Sequence, residues 1–409
     1  MLKIKKHLTA IAVMGFATIV SKPTFAAEMS ERVSSGGGVQ ITDRNSEYWF
    51  QLGGRLQLDG AVFTGSQSDR SGFPSGTNIR RAFLDVSGGV GNNWFYGLSI
   101  DFGNVTNNTT TLNDAYIGYV GFDKSYVSVG QIYIPLGLED TTSSLNLFFM
   151  ERSLMTTALY PGYGIGVYGE TQMFENVSLM GGFFNPSDDV LQSGSTTTTG
   201  SDPLRIVGRA AFAPIQTTHE VWHMGISGMC SSNHRRNALV FSTAPELRAR
   251  STSTLSTGSI LGVDKYYTLG LEAASKMGPL VVMGEYQNLH LNRNAFYGNN
   301  LDYDGYSLMA GYVLTGEERP YDSRSGTFGG VKPTSKNGAW EVSARYSMAS
   351  LGDQVGANTV VGAGTEHNVT LGLSWWYTAN MRILANYVRA HKPAGVDLDA
   401  FGLRAQVNW

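Results

Sequence analysis

The chain has 409 residues, of which 42% are hydrophobic, with a mean hydropathy of −0.13 and a net charge of −3 at pH 7. No long apolar run follows the first 26 residues, which excludes a bundle of transmembrane helices, and the single cysteine excludes a disulfide framework. Two fold classes remain: a large soluble β protein, or a membrane β-barrel whose apolar residues alternate along many strands.

The first predicted element is a cleaved secretory signal peptide at residues 1–26. Three lysines precede an apolar run from Leu8 to Val20, and small residues precede a plausible cleavage site after Ala26. The apolar run is too short to span a bilayer as a helix. We interpret residues 27–47 as a short periplasmic extension and residues 48–409 as the folded body of the protein.

Segments in which apolar and polar residues alternate follow along the whole remaining chain. The first begins at Tyr48 and places Arg55 and Asp59 on the face opposite its apolar residues; the last ends the chain at Trp409 with the same alternation. Counting these segments gives roughly sixteen strands, an even number that is typical of single-chain bacterial outer-membrane barrels. The sequence therefore predicts an all-β fold, a transmembrane antiparallel β-barrel of about sixteen strands.

Three connections are much longer than the others. Two external connections run over residues 135–163 and 231–262, and one periplasmic connection runs over residues 315–338. The lumen of such a barrel is wide enough for an aqueous channel, and inward-folded loops narrow it. We expect the first connection to fold inwards, because residues 145–150 are too apolar to lie in water. For the second connection, a disordered external loop remains an alternative.

Several short motifs occur in order along nearly the whole mature chain. They are GRLQLD (54–59), RRAF (80–83), the stretch from DAYIGY to VGQ (114–131), PLGLED (135–140), FMER (149–152), GLEAA (270–274), LTGEERPY (314–321), SGTFGGVKP (325–333) and GAWEVSARYS (338–347).

In these motifs the chain resembles the phosphate-selective porin O/P family. The resemblance implies a trimeric outer-membrane porin of a Gram-negative bacterium, with a water-filled channel for the passive diffusion of small solutes. It also implies a ladder of arginines that draws phosphate or other inorganic anions to a constriction, and an exit lined by lysines. The surroundings would be membrane lipid and lipopolysaccharide, and no cofactor, metal, nucleic acid or enzymatic activity is implied.

Candidate pathway residues follow from matching these motifs. Arg55, Arg80 and Arg81 are the best ladder candidates, since all three lie in matching motifs and Arg55 and Arg81 also fall on the lumen-facing side of their strands. The other positions assigned are Arg248, Arg250, Lys332 and Lys336 on the anion pathway, and Asp101, Tyr133 and Arg152 at the constriction.

The sequence departs from the family pattern at one position. After VGQ the family commonly has an aromatic residue and then lysine, whereas here Ile132 and Tyr133 follow. A tyrosine donates a hydrogen bond but adds no positive charge, so we expect a weak or moderate anion preference. As an alternative role, each lumen arginine pairs across the barrel and stiffens the wall; the candidate partners are Asp59, Asp85 and Glu341.

Two motifs suggest other functions. Residues 219–223 spell HExxH, but the segment alternates as a strand, and four strand steps separate its two histidines by about 13 Å, so they would not share a metal. Residues 164–169 spell GxGxxG, but they open a strand with no following helix pattern. A barrel hydrolase lacks an evident third member beside His223 and Ser227. An adhesin or antigen role for the external loops stays open.

Overall fold

The computed structural model describes residues 38–42, 47–65, 72–103, 110–185, 204–233, 238–248, 253–354, 360–392 and 397–409. In this part of the chain, sixteen long strands pair antiparallel with their neighbours in chain order, and the last pairs with the first to close a barrel. The predicted sixteen-stranded barrel is therefore confirmed. The strands are β1 (Val39–Thr42), β2 (Tyr48–Gly65), β3 (Gly76–Val90), β4 (Trp94–Asp101), β5 (Thr111–Phe122), β6 (Ser125–Tyr133), β7 (Tyr163–Phe174), β8 (Val177–Asn185), β9 (Arg205–Gln216), β10 (Glu220–Ser232), β11 (Ala238–Leu239), β12 (Ser242–Thr243), β13 (Leu255–Ser256), β14 (Ile260–Leu261), β15 (Val263–Met277), β16 (Leu280–Arg293), β17 (Leu301–Val313), β18 (Tyr321–Asp322), β19 (Thr327–Phe328), β20 (Ala339–Gln354), β21 (Val360–Thr378), β22 (Met381–His391) and β23 (Asp397–Asn408), and the helices are α1 (Leu138–Thr141) and α2 (Leu154–Leu159).

The barrel closes where β23 meets β2. Arg55 lies opposite Asn408 in this pairing, and the backbone groups of Gly54 and Trp409 exchange hydrogen bonds of 3.0 and 3.1 Å. The indole ring of Trp409 packs so closely against Gly54 that a Cβ atom there would lie 2.6 Å from it. Beyond this point β2 pairs with β1, which continues the seam towards the chain start.

The two faces of the strands differ as the alternation predicts. On β23, Phe401 and Leu403 are more than half exposed, whereas Arg404 and Gln406 are buried. The exposed apolar face is the surface that lipid covers, and the buried polar face points into the lumen. Among the described residues, no helix has the length and hydrophobicity that a membrane span requires.

The described parts of the three long connections fold inwards. They are residues 134–162 between β6 and β7 (the first inward loop), residues 233–262 between β10 and β15 (the second inward loop), and residues 314–338 between β17 and β20 (the periplasmic loop). The described part of the second loop is not an extended external loop, because Leu239, Leu247, Leu255 and Ile260 are buried and it forms two small strand pairs, β11–β14 and β12–β13.

A hydrophobic core therefore lies inside the barrel rather than in the wall alone. Leu154 and Met155 of α2 are fully buried against Leu255 of the second loop and against wall residues such as Leu289 and Tyr303. Burying a large apolar side chain contributes about 1.5–3 kcal/mol, so this packing fixes the loops against the inner face of the wall.

Candidate functional site

The first inward loop is attached to the wall by a carboxylate of β16. Glu285 accepts hydrogen bonds from the backbone N–H groups of Leu138, at 3.0 Å, and of Glu139, at 2.6 Å, which open α1. The hydroxyl of Tyr160, after α2, donates to the same carboxylate at 3.2 Å. One buried side chain thus holds both halves of the loop, since the free N–H groups of a helix start favour a negative charge.

A second attachment joins both inward loops to β20. The guanidinium of Arg345 lies 2.9 Å from the Glu139 carboxylate of the first loop and 2.6 Å from the Glu246 carboxylate of the second loop. Glu246 also accepts the backbone N–H of Leu154 at 3.1 Å. All three charged side chains are buried, so the loss of Arg345 would leave both carboxylates without this ion-pair partner.

A third attachment lies near the barrel seam. Arg404 on β23 makes two hydrogen bonds of 2.7 Å to Asp59 on β2 and one of 2.7 Å to Glu151 on the first inward loop. Arg80 on β3 makes two more to Glu151, at 2.7 and 2.9 Å. Paired N–H donors of this kind fit the two carboxylate oxygens, so Glu151 is held from two strands.

A bulge in β3 brings two successive arginines into the lumen. Gln57 lies opposite Arg81 and Leu58 opposite Ile79, so Arg80 is the extra residue in the ladder. Strict alternation would turn Arg80 towards lipid if Arg81 faces inwards, but a bulge redirects a side chain. Arg81 is buried and donates to the side chain of Gln57 at 2.8 Å.

Positive charge is in excess around Glu151. We call Arg80, Arg81, Arg248 and Arg404 the arginine cluster; against them stand Glu151 and Asp59, a formal balance of four minus two, or +2. Among the described residues, Arg81 and Arg248 form no ion pair.

The pKa shifts in the loops reflect this excess of charge. Burial alone would raise the pKa of Glu151, but the guanidinium groups of Arg80, Arg81 and Arg404 hold it well below its usual value. Burial, followed by the neighbouring charge of Arg80, lowers the pKa of Arg248. The carboxyl is therefore strongly stabilised as an anion, while at the second-loop arginine burial and Arg80 outweigh the opposing charge of Glu151.

Beside the arginine cluster, a cavity of about 390 Å³ lies between the first inward loop and the wall formed by β2 to β7. The sequence-predicted residues that line it are Arg55, Arg81, Asp101, Tyr133 and Arg152. The other charged residues that line the cavity are Asp85, Asp114 and Asp140, and the sequence analysis did not assign them to the anion pathway or the constriction.

Among the residues predicted to form the constriction, the hydroxyl of Tyr133 donates to the carboxylate of Asp140. Arg152 donates to the carbonyls of Asp140 and Thr142, both at 2.9 Å, and lies over the Tyr133 ring at 5.7 Å. Burial raises the pKa of Asp140 to about 6, although Arg152 opposes the shift. Tyr133 and Arg152 therefore brace the loop with these contacts.

Asp101 and Arg55 are also held in place. Asp101 accepts the backbone N–H groups of Ala82, at 3.0 Å, and Gly103, at 2.7 Å. Arg55 donates to Ser144 on the first inward loop at 3.0 Å. Both side chains thus connect the cavity wall to neighbouring backbone or loop.

The other assigned residues lie elsewhere. Arg80 and Arg248 belong to the arginine cluster but do not line the cavity, and Lys332 and Lys336 are exposed on the periplasmic loop. Arg250 lies outside the described residues.

The proposed wall pairings are only partly present. Arg55 approaches Asp85 at 4.0 Å, whereas the partner of Asp59 is Arg404. Glu341 pairs with Arg319 of the periplasmic loop at 2.6 Å. Lumen polarity marks these acids in the sequence, but their partners are distant in the chain: Arg55 and Arg404 lie on other strands and Arg319 lies on the periplasmic loop.

The HExxH segment forms the start of β10 and the turn before it. His223 is buried, with its ring nitrogens 2.9 Å from Glu272 and 2.8 Å from the hydroxyl of Tyr321. His219 is exposed and lies 2.5 Å from Glu318. Both histidines thus contact the periplasmic loop or the wall, in separate environments. The GxGxxG residues lie in β7, a barrel strand.

Comparisons with known proteins agree with this architecture. The model of the family described as phosphate-selective porin O and P matches residues 50–409. Porin O of Pseudomonas aeruginosa is 27% identical over 95% of this chain and 94% of its own length.

Two solved structures show the same fold at low identity. An anion-selective porin from Comamonas acidovorans is 12% identical, with a TM-score of 0.54 over 89% of this chain and 100% of its own. The trimer form of OmpT, an outer-membrane protein of Vibrio cholerae, is 11% identical, with a TM-score of 0.55 over 89% of this chain and 100% of its own. The chain therefore belongs to the phosphate-selective porin O and P family, and it is an anion-preferring channel of the outer membrane rather than an enzyme.

Proposed function

We propose that anions cross the barrel through the cavity beside the first inward loop and that the arginine cluster provides the attraction. The observation that carries this proposal is the charge balance around Glu151, where four arginines face two carboxylates. Arg81 belongs to the cluster and also lines the cavity, so it brings the excess charge to the path.

The physical basis is electrostatic focusing. Walls of low dielectric constant concentrate the field of the buried guanidinium groups into the opening, which raises the local anion concentration and the entry rate. Conduction also requires weak binding, so that the anion leaves again. The aspartates of the cavity limit the attraction, which supports a moderate preference and weak binding of phosphate or another inorganic anion.

Zero-current potentials under a KCl gradient across planar bilayers test this path. One charge about 10 Å from a permeating ion in water contributes about 0.4 kcal/mol, or twofold for each ion, so Arg81→Gln should lower the chloride-to-potassium permeability ratio about fourfold. Arg248→Gln should lower it less, because Arg248 does not line the cavity. Arg389→Gln is the matched control, since Arg389 is on the outward face and pairs with Asp399 at 2.7 Å. An unchanged ratio in Arg81→Gln would overturn the proposal.

Assembly and export are part of the same proposal. We infer a homotrimer, supported by the trimer form of a structural neighbour, in a Gram-negative outer membrane where lipid and lipopolysaccharide surround the exposed apolar face. Residues 1–26 would be removed during export. Arg250 would add positive charge to the anion pathway, and Lys332 and Lys336 would line the periplasmic exit. Native gel mass and the N-terminal sequence of the mature protein check the first two points.

A further inference from the structure

The cavity carries charges of both signs, which anion preference alone does not explain. Its ionisable residues with formal charge are three arginines and four aspartates, a balance of three minus four, or −1. A path built only to attract anions would have an excess of cations at its wall. The charged residues are Arg55, Arg81, Arg152, Asp85, Asp101, Asp114 and Asp140.

Most of these charges already have partners. Arg152 and Asp140 are engaged within the first inward loop, and Asp101 accepts two backbone N–H groups. Asp85 accepts the hydroxyl of Ser99 at 2.5 Å and lies 4.0 Å from Arg55. These groups shape the cavity, and their capacity for a solute is reduced.

Two charges of opposite sign are less committed. Arg81 donates to the neutral side chain of Gln57 and forms no ion pair among the described residues. Asp114 accepts a backbone hydrogen bond from Tyr133, and within the described part of the chain it has no ion pair. Both line the same cavity, so a permeating solute meets one guanidinium group and one carboxyl group that form no ion pair among the described residues.

The register sets the distance between them. Asp85, Ser99 and Asp114 lie opposite one another across β3, β4 and β5, and Arg81 is four residues from Asp85 along β3. Two strand spacings and four residue rises place the Cα atoms of Arg81 and Asp114 about 16 Å apart. Arg81 donates to Gln57 on β2, on the far side of β3 from β5, so its guanidinium remains too far from Asp114 for an α-amino acid to bridge the two groups.

We propose that the cavity also accepts small zwitterions whose ammonium and carboxylate groups are several ångströms apart, as in ω-amino acids. The carboxylate approaches Arg81 and the ammonium approaches Asp114, so both ends are compensated during passage. This inference rests on the proposed path through the cavity. It adds a solute class that carries no net charge and that the arginine cluster alone would not favour.

Liposome swelling with the purified protein tests the proposal, because it reports the entry of solutes without net charge. The probes are ε-aminocaproate and its uncharged isostere ε-hydroxycaproamide. Partly exposed ion pairs contribute about 0.2–1 kcal/mol, so ε-aminocaproate should enter up to about fivefold faster than the isostere. Equal rates in the unmodified protein would refute the inference.

Variants assign the effect to the two side chains. In Asp114→Asn and in Arg81→Gln, ε-aminocaproate and ε-hydroxycaproamide should enter at equal rates. Asp114→Glu keeps the charge, so ε-aminocaproate should still enter faster. Asp397→Asn on the outward face is the matched control and should also retain it. A difference that persists in Asp114→Asn contradicts the proposal.

The same variants separate this inference from the proposed path. Suppose that Arg81→Gln changes the chloride-to-potassium permeability ratio, but that neither Arg81→Gln nor Asp114→Asn changes the ratio of the two solute entry rates in the swelling assay. Then only the zwitterion proposal fails. If Arg81→Gln changes neither quantity, the cavity is not the path and both proposals fail. Asp114→Asn should raise the chloride-to-potassium permeability ratio, whereas Arg81→Gln should lower it. Opposite changes of this ratio show that both variants are folded and that each has lost a charge from the cavity.

Discussion

Replacing Arg345 by methionine should loosen the first inward loop without unfolding the barrel. The substitution leaves the buried carboxylates of Glu139 and Glu246 without the guanidinium that lies 2.9 and 2.6 Å from them. Removing one partner of a buried ion pair costs about 3–5 kcal/mol. The cost falls on the contact between the loops and β20, since the strand pairings of β20 do not involve this side chain.

Apolar packing of the first inward loop opposes this loosening. Five fully buried side chains of the loop, at about 1.5–3 kcal/mol each, contribute roughly 8–15 kcal/mol before the entropy of ordering the loop is subtracted. The loss of Arg345 is smaller than this sum, so the loop should leave its position only part of the time. The five side chains are Ile134, Leu136, Leu138, Leu154 and Met155.

Single-channel recording measures the effect. Arg345→Met should increase the mean conductance and the open-channel current noise, and proteases should cut the loop faster. The triple variant Arg345→Met, Glu139→Gln, Glu246→Gln should recover much of the original behaviour, because neutral partners remove the uncompensated charges. Unchanged conductance, noise and proteolysis in Arg345→Met would refute the argument that these charges hold the loop.

Two further predictions concern pH and barrel closure. Burial raises the pKa of Asp140 to about 6, so lowering the pH from 7 to 5 protonates this carboxyl and removes one negative charge from the cavity. The chloride-to-potassium permeability ratio should therefore rise. Asp140→Asn should show the higher ratio already at pH 7 and lose this component of the pH dependence. Gly54→Ala should impair closure, because the added Cβ would lie 2.5 Å from the Phe83 carbonyl and 2.6 Å from the Trp409 ring. Heat-dependent mobility on gels would show a lower unfolding temperature than for Gly60→Ala, whose Cβ would meet no atom closer than 3.6 Å.

The sequence by itself determined the barrel, its strand number and the two faces of its strands. These features depend on local alternation, because successive side chains of a strand point to opposite sides whatever the rest of the chain does. Trp409 as a lipid-facing end and Arg404 as a lumen residue follow from this rule alone. Connection lengths likewise singled out three unusual segments, and the apolar residues 145–150 indicated that the first of them enters the lumen, while an external loop stayed open for the second.

The tertiary structure decided which lumen charges remain available to a solute. Arg404 contacts Glu151 although 253 positions separate them in the sequence, and Arg345 contacts Glu139 at a separation of 206 positions. No local sequence pattern therefore reveals these pairs. The bulge that turns Arg80 inwards is also invisible to a rule of strict alternation. Net electrostatics depends on distances between groups that only the folded loops bring together, and this is why the charge balance at Arg81 and Asp114 emerged from the structure alone.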